Sequence, residues 1–156
     1  MKEQRELVQF LLEAKLQTYA NAEREPVAPL IPGAKQLEYQ RGDWAYRDIY
    51  FGNGFFAGQE MVLKGGKPVW SMVYSGGMTH PRALPERVEE TYAFLIKALG
   101  QANEDTIFRG PEFLREGELV YLNEWFGELE SFSGMENIQK DGETIYGLHY
   151  SGGCIK

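Results

Sequence analysis

A shift of 76 residues lays one stretch of this sequence on another, and that self-similarity limits the possible fold more than any other feature. Phe56 falls on Phe132, Gly58 on Gly134, Glu60 on Glu136, Lys64 on Lys140 and Gly66 on Gly142. The run Tyr74-Ser75-Gly76-Gly77 falls on Tyr150-Ser151-Gly152-Gly153, so residues 55–77 and 131–153 share 9 of 23 positions without a gap. Four further pairs keep their character: Val62/Ile138, Val69/Ile145, Trp70/Tyr146 and Met72/Leu148. Each window reads as a β-hairpin, turning at Lys64-Gly65-Gly66-Lys67 or at Lys140-Asp141-Gly142-Glu143. Gly-Gly and Asp-Gly suit such turns because both central residues need positive φ. Convergent turn chemistry accounts for the turn glycines but not for the matched Tyr-Ser-Gly-Gly at the far ends, which a tandem duplication does explain.

The repeat extends upstream. Strand Trp44–Phe51 overlies residues 120–127, with Asp48 on Glu124 and Tyr50 on Phe126. One helix precedes each strand block. The first is expected near Glu3–Ala20, with Leu7, Phe10, Leu11, Ala14 and Thr18 along one stripe; the second near Pro85–Leu99, with Val88, Tyr92, Leu95, Ile96 and Leu99 at helical spacing. Pro85 suits a first helical turn and Gly100 the place just past the end. Three prolines between Pro26 and Gly33 cannot build a helix or a ladder, so that stretch reads as a connector. Each half is then one helix followed by three to four antiparallel strands. A lone helix on a short sheet leaves apolar surface open. The expected architecture is therefore α+β: a tandem duplication forming one curved antiparallel sheet with two helices packed on one face. The expected unit is a single domain over 1–156, with pseudo-repeats at approximately 1–80 and 81–156, separated by the short connector Thr79–Leu84.

Composition narrows the function classes. With 23 acidic and 16 basic residues the net charge is −7, so the chain lacks the positive field that nucleic acid or an anionic membrane would require. One cysteine excludes an internal disulfide and a cysteine-based zinc site, and two scattered histidines, His80 and His149, offer no metal-ligand spacing. No apolar run approaches the length of a membrane-spanning helix, and Met1–Glu6 runs straight into an amphipathic pattern rather than a leader. A cytoplasmic protein without metal or cofactor is expected.

The runs Tyr46-Arg47-Asp48-Ile49-Tyr50-Phe51-Gly52, Phe56-Ala57-Gly58-Gln59-Glu60 and Gly66-Lys67-Pro68-Val69-Trp70-Ser71-Met72 resemble a family of small bacterial domains of unknown function. Phe108-Arg109-Gly110-Pro111 and Phe132-Ser133-Gly134 are also similar to its pattern, so the resemblance spans nearly the whole chain. Members of that family stand alone or follow the helix-turn-helix segments of XRE-type regulators. The resemblance therefore implies effector sensing or an interaction role. A single helix precedes the strands here, so no DNA-reading role carries over, and the family supplies no catalytic residues.

Candidate site residues come from chemistry. Strand alternation sends Trp44, Tyr46, Asp48 and Tyr50 to one face and Ala45, Arg47, Ile49 and Phe51 to the other. An acid among aromatics reads as a pocket floor that orients a polar or cationic ligand, as a structural partner of tyrosine hydroxyls or an arginine, or as part of a solvated sheet edge. Glu60 and Glu136, with Asp48 and Glu124, form two symmetry-related acid pairs that can act as acid and base or balance bases such as Arg47 and Arg109; a cross-strand Arg47–Glu60 bridge is the structural form. Arg109 can fork onto a carboxylate or phosphate ligand, pair with Glu112, or cap carbonyls after the second helix. The Tyr-Ser-Gly-Gly segments, placed together at one end of the sheet by symmetry, serve as anion nests or as close-packing turns. Cys154 and His149 point to opposite faces of a strand and do not form a nucleophile–base pair.

Three readings follow. The first is a non-catalytic small-molecule-binding or sensing module, with Tyr46, Asp48, Tyr50, Trp70, Tyr74 and Arg109 as ligand-binding residues. The second is a protein–protein interaction module or homodimer without a ligand. The third is a small hydrolase or isomerase, which requires two acids, or one acid and Arg109, to converge in one cavity.

Overall fold

The computed structural model describes residues 2–80 and 82–156; Met1, and Pro81 within the Thr79–Leu84 connector, lie outside the described residues. Helix α1 (Lys2–Gln17) leads into strands β1 (Lys35–Arg41), β2 (Trp44–Gly52), β3 (Phe55–Lys64) and β4 (Lys67–Met78). Helix α2 (Pro85–Leu99) leads into β5 (Phe113–Glu116), β6 (Leu119–Glu128), β7 (Ser131–Lys140) and β8 (Glu143–Cys154). The second helix has the bounds its sequence sets, with Pro85 in the first turn. The first stops at Gln17 rather than Ala20, because the Lys15 carbonyl takes both the Thr18 and the Ala20 amide and closes the chain into a turn.

All eight strands form one antiparallel sheet in the order β1-β2-β3-β4-β8-β7-β6-β5. Each half is a four-strand meander, and the two meanders join through their last strands. The hairpin turns fall where Gly-Gly and Asp-Gly predict them: Gly65, Gly66, Asp141 and Gly142 all have positive φ. Both long hairpins also carry a bulge at matched places, Val62/Leu63 and Ile138/Gln139.

Side chains of both helices enter one apolar cluster with the inward residues of the strands, among them Val62, Trp70, Met72, Ile138 and Leu148. Phe10 of α1 stacks on Trp44 with ring centroids 5.4 Å apart, and Tyr92 of α2 meets Phe56 at 5.8 Å and Tyr146 at 6.0 Å. Full burial of one such side chain stabilises the fold by roughly 1.5–3 kcal/mol.

The register corrects the expected overlay of the outer strands. Asp48 lies opposite Glu60, and Asn123, not Glu124, lies opposite Glu136. Gly52 and Gly127 stand near the ends of the matching strands with φ of 95° and 93°, and a Cβ on either would sit 2.1 or 2.2 Å from the backbone oxygen of Phe55 or Ser131. From that shared bend, Phe56 follows Gly52 across one residue fewer than Phe132 follows Gly127. Asp48 therefore corresponds to Asn123 and Tyr50 to Trp125. A one-residue slip turns every side chain to the opposite face, which is why Glu124 and Phe126 are exposed.

The Tyr-Ser-Gly-Gly segments also depart from expectation. Tyr74 pairs with Tyr150 across β4 and β8, so the two segments run in opposite directions through the middle of the sheet instead of meeting at one end. Gly76 and Gly152 are points of close backbone approach: a Cβ there would lie 2.2 Å from Gly147 O and 2.3 Å from Ser71 O. They are neither chain reversals nor an anion nest.

Candidate functional site

A cavity of about 180 Å³ lies between α2 and the inward face of β2–β4. Asp48 and Tyr50 of β2, Phe56 of β3 and Tyr74 of β4 line its sheet side; Tyr92, Leu95, Ile96 and Leu99 of α2 line the other. Tyr19, Arg24, Lys35 and Arg109, with Gly52 and Asn53 at the end of β2, complete the wall.

Asp48 is fixed by the pleat and by a tyrosine. Its carboxyl Oδ1 accepts a 2.6 Å hydrogen bond from the Tyr74 hydroxyl, which reaches over the intervening strand because Gly58 stands there; a Cβ on Gly58 would lie 2.5 Å from Tyr74 Oη. Gly134 makes the same allowance for Tyr150, whose hydroxyl donates to Asn123 Oδ1 at 2.8 Å. Arg109 is placed by a pinned loop. Gly110 N donates to Tyr121 Oη at 3.0 Å, Asn123 Nδ2 donates to Gly110 O at 2.9 Å, and a Cβ on Gly110 would press on the Tyr121 ring at 2.8 Å. So held, Arg109 Nη2 donates to Glu136 Oε1 at 2.6 Å. The hydroxyls of Tyr121 and Tyr146 donate to the same carboxylate, the latter at 2.9 Å.

Across β2 and β3, Asp48 faces Glu60, whose Oε2 lies 3.1 Å from Lys15 Nζ of α1. Lys15 also donates to Phe108 O at 2.8 Å, tying α1 to the loop that carries Arg109. Five charged side chains are thus buried together: Asp48, Glu60 and Glu136 against Lys15 and Arg109. Buried charge is costly unless paired. Burial, reinforced by the negative charge of Glu60, pushes the Asp48 carboxyl up to about 7, against the pull of the Tyr74 hydrogen bond, Arg109 and Lys15. A proton on Asp48 leaves two anions against two cations. Burial likewise lowers the Lys15 ammonium, opposed by Glu60. For Arg109 burial disfavours the charge, but the Glu136 carboxylate together with Tyr146 and Tyr19 outweighs it and the guanidinium stays charged. Among the described residues, Tyr46 Oη, Trp70 Nε1, Glu60 Oε1 and Arg109 Nε are buried without a hydrogen-bond partner.

Residues 48–155 match a family described as a domain of unknown function, DUF5680. The chain belongs to this family. Neither the curated proteins nor the solved structures provide a match. The DUF5680 span opens at Asp48 and takes in Glu60, Tyr74, Arg109 and Glu136, whereas Lys15, Tyr19 and Tyr46 precede it. The three acids and the guanidinium of the buried cluster are therefore DUF5680 residues, and α1 supplies the ammonium from outside the span.

Of the six residues singled out by sequence, Asp48, Tyr50, Tyr74 and Arg109 line the DUF5680 cavity, while Tyr46 and Trp70 are buried in the apolar core outside its lining. Arg47 does not bridge to Glu60. Alternation puts it on the opposite face, where it donates to Glu38 at 2.8 Å. Arg109 pairs with Glu136 rather than with Glu112 or helix carbonyls. Cys154 Sγ lies 3.7 Å from Leu129 O, its thiol raised by burial, while His149 is exposed. Among the described residues no group of three His, Cys, Asp or Glu side chains is placed to hold a metal ion, and no helix is long and apolar enough to cross a membrane. Lys15 and Tyr19 were missed. Their signal was spacing: Lys15 follows Leu11 by one helical turn on the apolar stripe, and Tyr19 follows Lys15 by another.

Proposed function

We propose that this DUF5680 chain is a small-molecule-binding module acting as a sensor, whose ligand enters the cavity between α2 and strands β2–β4. The observation that carries this reading is the convergence of Asp48 and Arg109 in one cavity wall, where the guanidinium lies over the rings of Tyr19 and Tyr74. Aromatic and aliphatic walls with a few converging polar groups are the usual make-up of a ligand site, and a volume of about 180 Å³ suits a small ligand. The matched bulges, bend glycines and tyrosines support an origin of the two halves by duplication of one helix-and-meander unit. In that reading the second copy anchors the fold and the first was left free to take a ligand. The sensing role is the one implied by the sequence resemblance to domains that accompany regulators.

The test is a thermal-shift screen against several hundred metabolites, using the wild type and Ile96→Trp, which fills the cavity from α2. A ligand at 100 times its dissociation constant adds about 2.7 kcal/mol, several degrees for a domain of this size. The expected result is a shift that Ile96→Trp removes. A flat screen on folded protein contradicts the reading and favours the interaction alternative, for which sedimentation would test the exposed Val73, Phe126 and Met135 on the outer sheet face.

A second reading has one observation in its favour. A carboxyl held near neutrality beside a guanidinium in a cavity is the arrangement of a general base with an electrostatic partner. Turnover of a panel of esters or ketones that is lost in Asp48→Asn would support proton-transfer chemistry; absence of turnover with retained binding supports the sensor.

A further inference from the structure

We propose, resting on the binding reading above, that the ligand is a small organic anion, a monocarboxylate with a flat or branched apolar body, and that it binds together with a proton held by Asp48. The charge of the lining points this way. Arg24 and Lys35 from the first half and Arg109 in the wall set three cations around the cavity, and Asp48 is the one acid among its described lining residues. Glu136 takes one N–H of Arg109 Nη2, and the guanidinium, which lies over the lining rings of Tyr19 and Tyr74, keeps further N–H groups for a carboxylate oxygen. Opposite these groups, the Tyr92 hydroxyl already donates to Gly54 O, and Leu95, Ile96 and Leu99 offer nothing polar to bind, so the ligand's other end is apolar.

The proton follows from the same geometry. An ionised Asp48 repels a carboxylate in this space, whereas a protonated Asp48 donates to it. The groups facing Asp48 are Glu60 from β3, Lys15 and the following Tyr19 from the α1 segment, Tyr74 from β4, Arg109 from the loop after α2, and Tyr46 on its own strand. Tyr50, Tyr92 and Lys35 share the cavity wall with it. Lys15 is paired with Glu60 and Arg109 with Glu136. Burial raises the hydroxyls of Tyr19, Tyr46 and Tyr74 further above neutrality and that of Tyr92 to about 12. Asp48, at about 7, changes charge near neutral pH.

Calorimetric titrations with benzoate, benzamide and benzylamine at pH 6, 7 and 8 test the inference, using the wild type, Asp48→Asn and Ile96→Trp. All three probes keep one charge state over that range. The expected result is benzoate binding that weakens about tenfold from pH 6 to pH 8, as the competent protonated fraction falls. Benzamide and benzylamine should bind at least tenfold more weakly at pH 6. Asp48→Asn should retain benzoate binding and lose its pH dependence, and Ile96→Trp should lose the binding. A preference for benzylamine or benzamide that Ile96→Trp abolishes overturns the anion class while the cavity reading stands. Benzoate binding that does not change with pH in the wild type overturns the proton linkage. If benzoate fails to bind at any of these pH values, the anion inference falls, and the metabolite screen judges the cavity separately. Benzoate binding untouched by Ile96→Trp overturns both.

Discussion

Glu60 and Glu136 stand at matched places in the two halves, both fully buried, and their surroundings differ in kind. Glu136 accepts from Arg109, Tyr121 and Tyr146, and faces Asn123, a neutral amide held by Gly110 and Tyr150. Glu60 faces a second acid, Asp48, and has Lys15 as its counter-ion; Tyr46 and Trp70, at the places of Tyr121 and Tyr146, find no acceptor. The Glu136 carboxylate thus has its partners in place, whereas the hydroxyl and indole at the matching places beside Glu60 have none. Satisfied buried networks rigidify a core, whereas incomplete ones are costly unless something else completes them. Both networks reach the cavity wall, one through Arg109 and the other through Asp48.

The comparison breaks most visibly at Glu136. Glu136→Ala strands a buried guanidinium and two tyrosine hydroxyls, and is expected to cost about 3–5 kcal/mol in urea denaturation, with the melting temperature lower by roughly 10 °C. A loss no greater than that of a surface substitution would remove the second half as the anchor.

Next in size is a pH effect confined to the first half. The carboxyl of Asp48 lies higher in the folded chain, at about 7, than in the unfolded one. Its contribution is therefore complete below about pH 4 and is lost as the pH rises to about 7, roughly 4 kcal/mol across that window. The readout is the difference in stability between wild type and Asp48→Asn, which should move in favour of the variant as the pH rises. A difference that stays flat from pH 4 to pH 8 contradicts the asymmetry.

Asn123→Asp sharpens the comparison by giving the second half the acid of the first. It places a carboxyl opposite Glu136 in a buried site, and should cost roughly 1–3 kcal/mol at pH 8 and less at pH 5. The smallest effect is expected on the outer face. Arg47→Ala removes a half-exposed bridge to Glu38 and should change stability by about 1 kcal/mol or less, since it belongs to neither buried network.

Much of this was legible in the chain. Gly-Gly and Asp-Gly marked the hairpin turns, Pro85 marked the second helix, and alternation around Asp48 marked the inward face. Glu60 and Glu136 emerged as a matched pair because the hairpins holding them align without a gap. The outer strands did not yield to the same offset. A single extra residue between Gly127 and Phe132 reverses which side chains face inward, and sequence similarity there is too weak to reveal it, so Glu124 stood where Asn123 belongs. The partners of the acids were hidden for a different reason. Lys15 reaches Glu60 from a helix, and Arg109 reaches Glu136 from a loop, through tertiary contacts that no strand pattern encodes. Tyr46 and Trp70 were drawn to the site by belonging to the right face, but the core closes over them before the cavity begins.

The most direct test of the asymmetry is a carbon-13 NMR titration of the Asp48 side-chain carboxyl, assigned by its loss in Asp48→Asn. The account predicts a midpoint near 7, with the neighbouring Tyr74 resonances moving in step. A midpoint in the ordinary aspartate range near 4 would contradict it, leaving the two halves electrostatically alike and the cavity without its proton.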